Sequence, residues 1–532
     1  MIEKIRILGY RKFRDVTVEP HARINVIVGD NESGKSTLLE ALGLALTGRI
    51  NGRPAAEELN PFWFNSAMTS EFFAQRAQGN SVSLPVITIE VFLNDLDEFQ
   101  RNLYGAHNSA TPTQECAGIS LSVAPDDDYK VEIEAHIASG TALLPVEYYK
   151  VEWRSFGDKI LTARPKELTT AVIDSRTIRS TSGVDFHLRQ ILSDHLEADE
   201  KASISLAFRA VKEKMTTDHL GDVNDKMGKL EGSLDNQMLS LAMDQSARGS
   251  WDSSVVPQVD DVPFAMAGQG QQAAVKIALA LSHRASAARV VMIEEPENHL
   301  SHTSLNKLMH RISTLAGDEQ QLFITTHSSF VLNRLGVDGL MFVSDGRVTC
   351  TSSISESTVK YFKKLPGYDT LRMVLAERFV LVEGPSDEIV FERFYLDVKG
   401  KRPIEDGIDV VSMRGLSLKR CLELASVLDK KCAALTDNDG KDSAAIAAGL
   451  NQFLDNDKRC VFIGDVTGKT LEPQILAANP DDATMRAVLG VTEAAVLLTW
   501  MTNNKTEAAL RIAESDRTLA APSYFKDAIE FI

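Results

Sequence analysis

The stretch Val26-Ile-Val-Gly-Asp-Asn-Glu-Ser-Gly-Lys-Ser-Thr37 constrains this chain more than any other. Gly29, Gly34, Lys35 and Ser36 fit the spacing G-x-x-x-x-G-K-[ST]. The apolar run Ile24 to Val28 before it reads as a buried strand. After it, Leu38, Leu42, Ala45 and Leu46 recur at i, i+4, i+7 and i+8, the core face of a helix. Strand, glycine loop and helix N-terminus make a phosphate cradle. The glycines let backbone N–H groups close on the phosphates, and the helix dipole favours their charge. Lys35 is expected to reach the β- and γ-phosphates of ATP and Ser36 to hold Mg²⁺. Gly29, Asn31, Gly34 and Thr37 complete the expected cradle.

A length of 532 residues predicts two to four domains, and 44% apolar content suffices for real cores. The net charge of −17 argues against a nucleic-acid binder, yet binding needs only a local basic patch, and carboxylate metal sites add negative charge. The five cysteines (116, 350, 421, 432, 460) show no C-x-x-C spacing, so neither a disulfide framework nor a zinc site is indicated. Met1-Ile-Glu-Lys-Ile-Arg lacks a signal h-region, and no uncharged apolar run reaches spanning length. A cytoplasmic location without membrane contact is expected.

Ile2 to Val18 reads as two strands around Tyr10-Arg-Lys-Phe13. Residues 49–80 read as a loop-rich excursion, Val86–Leu93 as a strand and 101–117 as a surface loop. Lys130–His136 and Glu147–Phe156 alternate, which predicts a hairpin or meander. From 166 to 246 proline is absent and helical spacing appears, as in Phe186–Leu192 and Ile204–Val211. A helical insertion follows, either an ordinary lobe or a dimerisation arm.

Ala267-Gly-Gln-Gly-Gln-Gln272 precedes an amphipathic pattern and resembles the ABC signature L-S-G-G-Q, with Gly270 and Gln271 at its later positions and Gly268 in place of the serine. In that superfamily the motif contacts ATP held by the other subunit. Val290-Val-Met-Ile-Glu-Glu-Pro-Glu reads as a buried strand with Glu294 and Glu295 at its C-terminal end. Glu294 is expected to hold Mg²⁺ through water and Glu295 to orient the attacking water; most ABC ATPases carry Asp at the first position. Gln321-Leu-Phe-Ile-Thr-Thr-His-Ser328 adds a strand ending at His327, which resembles the switch histidine that senses the γ-phosphate. This order resembles the SMC/RecF-like ABC ATPases, and Glu-Glu-Pro-Glu resembles the overcoming-lysogenization-defect (OLD) family. That family continues H-L-H-P; this chain has His299-Leu-Ser-His302.

Phe379-Val-Leu-Val-Glu-Gly-Pro-Ser-Asp-Glu388 is a second strand–turn–helix junction, with Glu383 at the strand end and Asp387 opening the helix. It resembles the first Toprim motif. Cys432-Ala-Ala-Leu-Thr-Asp-Asn-Asp-Gly440 resembles the second, and i, i+2 spacing on an extended chain would point Asp437 and Asp439 the same way. With Glu383 they make a hard-oxygen nest suited to Mg²⁺ or Mn²⁺. The OLD resemblance also implies a metal-binding role for Glu472 in Lys469-Thr-Leu-Glu472 and a catalytic lysine, Lys505, in Asn504-Lys-Thr-Glu-Ala508. Asp465 is a weaker extra ligand. Arg414, Lys419, Arg420, Lys430 and Lys431 lie between the Toprim motifs as a candidate DNA path.

The expected fold is α/β: an SMC/RecF-like ABC ATPase with a helical insertion, then a Toprim domain on a parallel sheet. The expected bounds are 1–165 and 247–348 for the ATPase, 166–246 for the insertion, 349–375 for a linker, 376–490 for Toprim and 491–532 for a C-terminal segment completing the nuclease site. The resemblance implies an ATP-dependent, two-metal DNA endonuclease, a homodimer or higher oligomer, of the kind that includes Gabija-type phage-defence nucleases encoded beside a UvrD-like helicase. The alternatives are an ATP-driven DNA clamp without nuclease activity and an RNA-cleaving Toprim enzyme.

Overall fold

In the computed structural model the chain forms two compact units, residues 1–2 with 39–324 and residues 3–38 with 325–532. The structure describes residues 1–50, 52–94, 102–141, 143–165, 168–174, 196–227, 240–245, 251, 258–280, 289–298, 300–315, 320–351, 354–364, 369–466 and 468–532.

The first unit contains an antiparallel layer. Ile87–Leu93 pairs with Cys116–Pro125, which pairs in turn with Tyr149–Ser155. Ile87, Ile89, Val91, Ile119, Leu121 and Val123 are fully buried. The hairpin expected between 130–136 and 147–156 does not form. Lys130–Ala138 is a helix, and the later strand lies along Cys116–Pro125 instead. A seven-residue alternation also satisfies a one-sided helix. Only Ile133 is buried in it, and Val131 is 79% exposed. The excursion at 49–80 contains a helix too, Ser66–Ala77, whose first turn is capped by Asn65 Oδ1 accepting from the Met68 N–H at 3.2 Å.

A parallel layer shares this unit. Thr170–Asp174 pairs with Val290–Glu294 in register, Asp174 opposite Glu294, and Gln321–Thr325 lies on the other side of Val290–Glu294. Residues 170–174 fall within the expected insertion 166–246, yet they form a sheet strand with Ala171 and Ile173 buried. Ala198–Asp218 is a helix as its spacing predicts. Phe186–Leu192 lies outside the described residues.

In the second unit, Ile2–Tyr10 and Phe13–Val18 pair as a hairpin. Ile24–Val28 runs parallel to Leu340–Ser344, with Val28 opposite Phe342. The expected linker is largely helical, with helices Glu356–Lys364 and Asp369–Leu375. Arg372 on the second is bonded to Asp409 at 2.5 Å and to the Val410 carbonyl at 2.7 Å.

The C-terminal sheet has the order Ile408–Ser412, Arg378–Val382, Lys431–Thr436, Arg459–Ile463, all parallel. Buried on both faces, the inner strands Arg378–Val382 and Lys431–Thr436 read as continuous apolar runs rather than alternations. Helix Pro385–Lys399 packs Val390, Phe391, Phe394 and Tyr395 on this sheet. Phe525, on the last helix Ser523–Phe531, stands 5.8 Å from both Phe391 and Phe394. Leu497, Met501, Ala508 and Ile512 join the same core, so residues after 490 are part of this domain's interior. Each fully buried side chain of this size contributes about 1.5–3 kcal/mol.

Candidate active site

Glu383 and Asp437 each follow the C-terminal end of a parallel strand, the edge where open α/β sheets bind ligands. Glu383 Oε1 accepts the Thr436 hydroxyl at 2.6 Å and the Asp437 N–H at 2.8 Å. Gly384 and Pro385 turn the chain into the next helix, Pro at the first helical position where no N–H is needed. Asp387 Oδ2 accepts the Gly384 N–H at 2.8 Å, so it doubles as the helix cap. Glu472, buried in the first turn of Leu471–Ala478, accepts the Thr470 hydroxyl at 2.6 Å and pairs with Lys505 Nζ at 3.0 Å.

Lys505 opens helix Lys505–Glu514. The other end of that helix is held by Arg393, which donates to the carbonyls of Ala513 at 2.9 Å and Arg517 at 2.8 Å. A cation at a helix C-terminus also suits the dipole.

Burial pushes the Asp437 carboxyl up to about 8, with Glu383, Asp387 and Glu472 adding to the shift and Lys505 opposing it. Burial likewise lifts Asp387 to about 6, where the Gly384 N–H opposes and the Glu383 and Glu472 charges reinforce. Burial works against the Lys505 charge, but Glu472, Asp437 and Asp387 outweigh it and hold the amine above its usual range. Four carboxylates and one lysine thus share one field. Tyr524 belongs to it as well: burial first, then these same four carboxylates, raise its phenol far above normal. Nothing in the sequence pattern singles out Tyr524, which reaches the site only because the last helix folds back onto the sheet.

Asp439 departs from the sequence expectation. The strand ends at Thr436, and Asn438 Oδ1 accepts the Gly440 N–H at 2.7 Å, forming a tight turn. Asp439 has φ 49° and is exposed. An i, i+2 pair points one way only on extended backbone, and this backbone is not extended. Asp465 is also exposed.

The donor set, carboxylate oxygens only, suits a hard divalent cation. Among the described residues, however, no three His, Cys, Asp or Glu side chains stand close enough together to hold a metal ion. The site matches a metal in donor chemistry, while its carboxylates stand apart.

Among the five cations of the candidate DNA path, only Lys430 is buried. Lys430 is only 8% exposed, with Nζ 3.9 Å from the Phe342 ring centroid. Arg420 covers Tyr361 at 4.4 Å and donates to the Ser357 carbonyl. Lys431 lies over Phe531 at 5.1 Å. Aromatic partners distant in sequence take up these three cations. Arg414 and Lys419 are exposed, and the Arg414 N–H donates to the Glu383 carbonyl at 3.1 Å.

In the second unit, buried Lys35 donates to the Gly29 and Asp30 carbonyls at 2.9 and 2.7 Å, closing the loop on itself. A Cβ on Gly29 would stand 2.2 Å from the Val343 carbonyl oxygen, so glycine is required there. Gly34 has φ +115°. Ser36 and Thr37 lie in the first turn of helix Lys35–Thr47, and Asn31 is in the preceding turn. The Thr326 N–H donates to the Ile27 carbonyl at 3.0 Å, which sets His327 beside the strand leading into the loop. In the first unit, Glu294 ends its strand. Glu295 follows with φ 45° and accepts from Asn298 Nδ2 at 2.8 Å. Gly270 and the exposed Gln271 sit in the first turn of helix Gln269–Ala280. His299 lies outside the described residues, and His302 begins a helix.

Family models match three segments: an AAA domain over residues 4–140, an AAA domain described as a putative AbiEii toxin of a type IV TA system over 158–333, and an overcoming lysogenization defect protein-like TOPRIM domain over 374–439. The chain is 46% identical over 48 residues to the DNA replication and repair protein RecF of Idiomarina loihiensis, covering 9% of this chain and 14% of that protein. It is 28% identical over 176 residues to the endonuclease GajA of Bacillus cereus, covering 31% of this chain and 30% of that one. The chain thus spans well under two thirds of these relatives. The C-terminal region of the Burkholderia pseudomallei OLD protein superposes with a TM-score of 0.25 and 19% identity, over 30% of this chain and 96% of that one. Among the described residues no helix is long and apolar enough to cross a membrane.

Proposed function

From a chain that carries AAA-type ATPase segments followed by an OLD-like TOPRIM domain, we propose an ATP-dependent, divalent-metal-dependent DNA endonuclease. The observation that carries this reading is the shared field of Glu383, Asp387, Asp437 and Glu472 with Lys505 at the C-terminal edge of the parallel sheet. The GajA relative is named an endonuclease. Glu383 and Asp437 would hold one Mg²⁺ or Mn²⁺, with Asp387 and Glu472 supporting a second. Bound metal supplies an activated water and stabilisation of the leaving 3′-oxygen. Lys505 would offset charge developing on the phosphate.

In the ATPase half, Lys35 and Ser36 would bind the triphosphate and its Mg²⁺ together with Glu294. Glu295 would orient water, and His327 would sense the γ-phosphate. Gly270 and Gln271 would complete the site of a second copy, making the protein a homodimer or larger, which light scattering with and without ATP tests. A role in phage defence beside a UvrD-like helicase is the biological setting that fits best.

The RecF match favours a second reading, an ATP-driven DNA-binding protein without cleavage. Incubation of supercoiled plasmid, and in parallel of RNA, with Mg²⁺ or Mn²⁺ and with or without ATP decides between them. Cleavage of DNA that is lost in Glu383→Ala supports the nuclease. Binding without any metal-dependent cleavage supports the clamp.

A further inference from the structure

Asn438, between Asp437 and Asp439, is 5% exposed, and its side chain is fully used. Nδ2 donates to the carbonyls of Gly464 at 3.1 Å and Gly468 at 2.8 Å, and also to that of Asp465. Oδ1 accepts the Gly440 N–H at 2.7 Å. A second buried amide, Gln474 at 4% exposure, donates to the same Asp465 and Gly468 carbonyls at 2.9 and 3.1 Å. The segment so gripped leads directly into Thr470 and Glu472. It also grips back: the Lys469 carbonyl accepts the Asp439 N–H at 3.3 Å.

We propose that Asn438 is a positioning residue of this site. Its amide clamps the segment before Glu472 to the end of the Asp437 strand and holds Asp439 in its left-handed turn, so that the loops carrying Asp437 and Glu472 keep a fixed register. The proposal rests on the nuclease reading. Its physical basis is that carboxylates repel one another, and neutral donors anchored in the core, together with the Lys505 cation on Glu472, keep two such loops in register without metal. Residues that orient metal ligands in this way alter metal affinity by about 10–100-fold when replaced.

Asn438→Asp isolates the clamp. It keeps the acceptor for Gly440 but turns the donor into an oxygen facing three carbonyls. Gln474→Glu makes the same change from the other side and serves if the first variant fails to fold. In the full-length protein without metal, hydrogen exchange in peptides covering 464–470 is expected to accelerate at least tenfold in either variant, with exchange elsewhere unchanged. Mn²⁺ affinity, read by electron paramagnetic resonance, is expected to fall about 10–100-fold despite the added carboxylate. Wild-type exchange in this segment, or Mn²⁺ bound as tightly as by the wild type, overturns the proposal. If the wild-type protein binds no Mn²⁺, the nuclease reading fails, and the exchange experiment still decides whether the clamp exists.

Discussion

The backbone N–H of Asp437 donates to Oε1 of Glu383 at 2.8 Å, joining two motifs that lie 54 residues apart. This bond makes Glu383 both a charged site residue and a structural acceptor, and the two roles can be separated. Glu383→Gln retains an acceptor for Asp437 and Thr436 and should fold like the wild type. Glu383→Ala leaves both donors unanswered and should lose roughly 1–3 kcal/mol of stability by urea denaturation. Both should lose DNA cleavage by several orders of magnitude while retaining ATP hydrolysis. A folded Glu383→Gln protein that cuts plasmid at the wild-type rate would refute the nuclease reading.

Asp437 sets a pH dependence for the metal-free protein. Its pKa rises from 3.8 unfolded to about 8 folded, chiefly through burial. The folded state therefore binds the proton more tightly. The stabilisation is complete below about pH 4 and is lost as pH rises through about 8. In EDTA the melting temperature should fall across this window, and Asp437→Asn should flatten the fall. Parallel curves for the two proteins would contradict it.

Lys430 carries the opposite sign. Burial lowers its pKa from 10.5 to about 8, with Asp30 and Glu377 opposing the shift. The unfolded chain holds more protons between these values, so this group's contribution rises with pH from about 8 to about 10.5. At pH 7 the buried cation costs stability, offset in part by the Phe342 ring. Lys430→Met should stabilise the protein by about 1–2 kcal/mol at pH 7 and leave the salt dependence of DNA binding unchanged. A loss of affinity in this variant would restore Lys430 to the DNA path.

Arg414 and Lys419 are the exposed members of the same group, and Arg414 adjoins Glu383 through its backbone. Replacing both with Gln should weaken DNA binding uniformly across sequences and reduce the slope of log K against log salt by about 2. An unchanged slope places the phosphate path elsewhere.

Glu295 is held with φ 45°, a conformation costing a non-glycine residue about 1–2 kcal/mol, and its carboxylate is bonded to Asn298. Glu295→Gln should preserve ATP binding and abolish turnover, measured by phosphate release against nucleotide affinity. Turnover at the wild-type rate would remove Glu295 from catalysis.

The strand–loop–helix junctions at Gly29–Ser36 and Glu383–Asp387 are legible in the sequence because each is local. A buried apolar run, a glycine and a helix N-terminus within a dozen residues leave few other conformations. The parallel sheet is legible for the same reason, as continuous apolar strands separated by helical spacing. Lys130–His136 was ambiguous because seven alternating residues satisfy either period, and only the pairing of Tyr149–Ser155 with Cys116–Pro125 decides between them. At Asp437-Asn-Asp-Gly440 the residue types suit a tight turn as well as a ligand pair, and the turn made by Asn438, with the Asp439 N–H bonded to the carbonyl of residue 469, leaves Asp439 exposed. Tertiary structure alone buried Lys430 against Phe342 and brought the buried Tyr524 into the field of the carboxylates. A residue's type and spacing determine what chemistry it can perform. Which groups share a low-dielectric field depends on contacts between segments tens to hundreds of residues apart, and no local pattern encodes those.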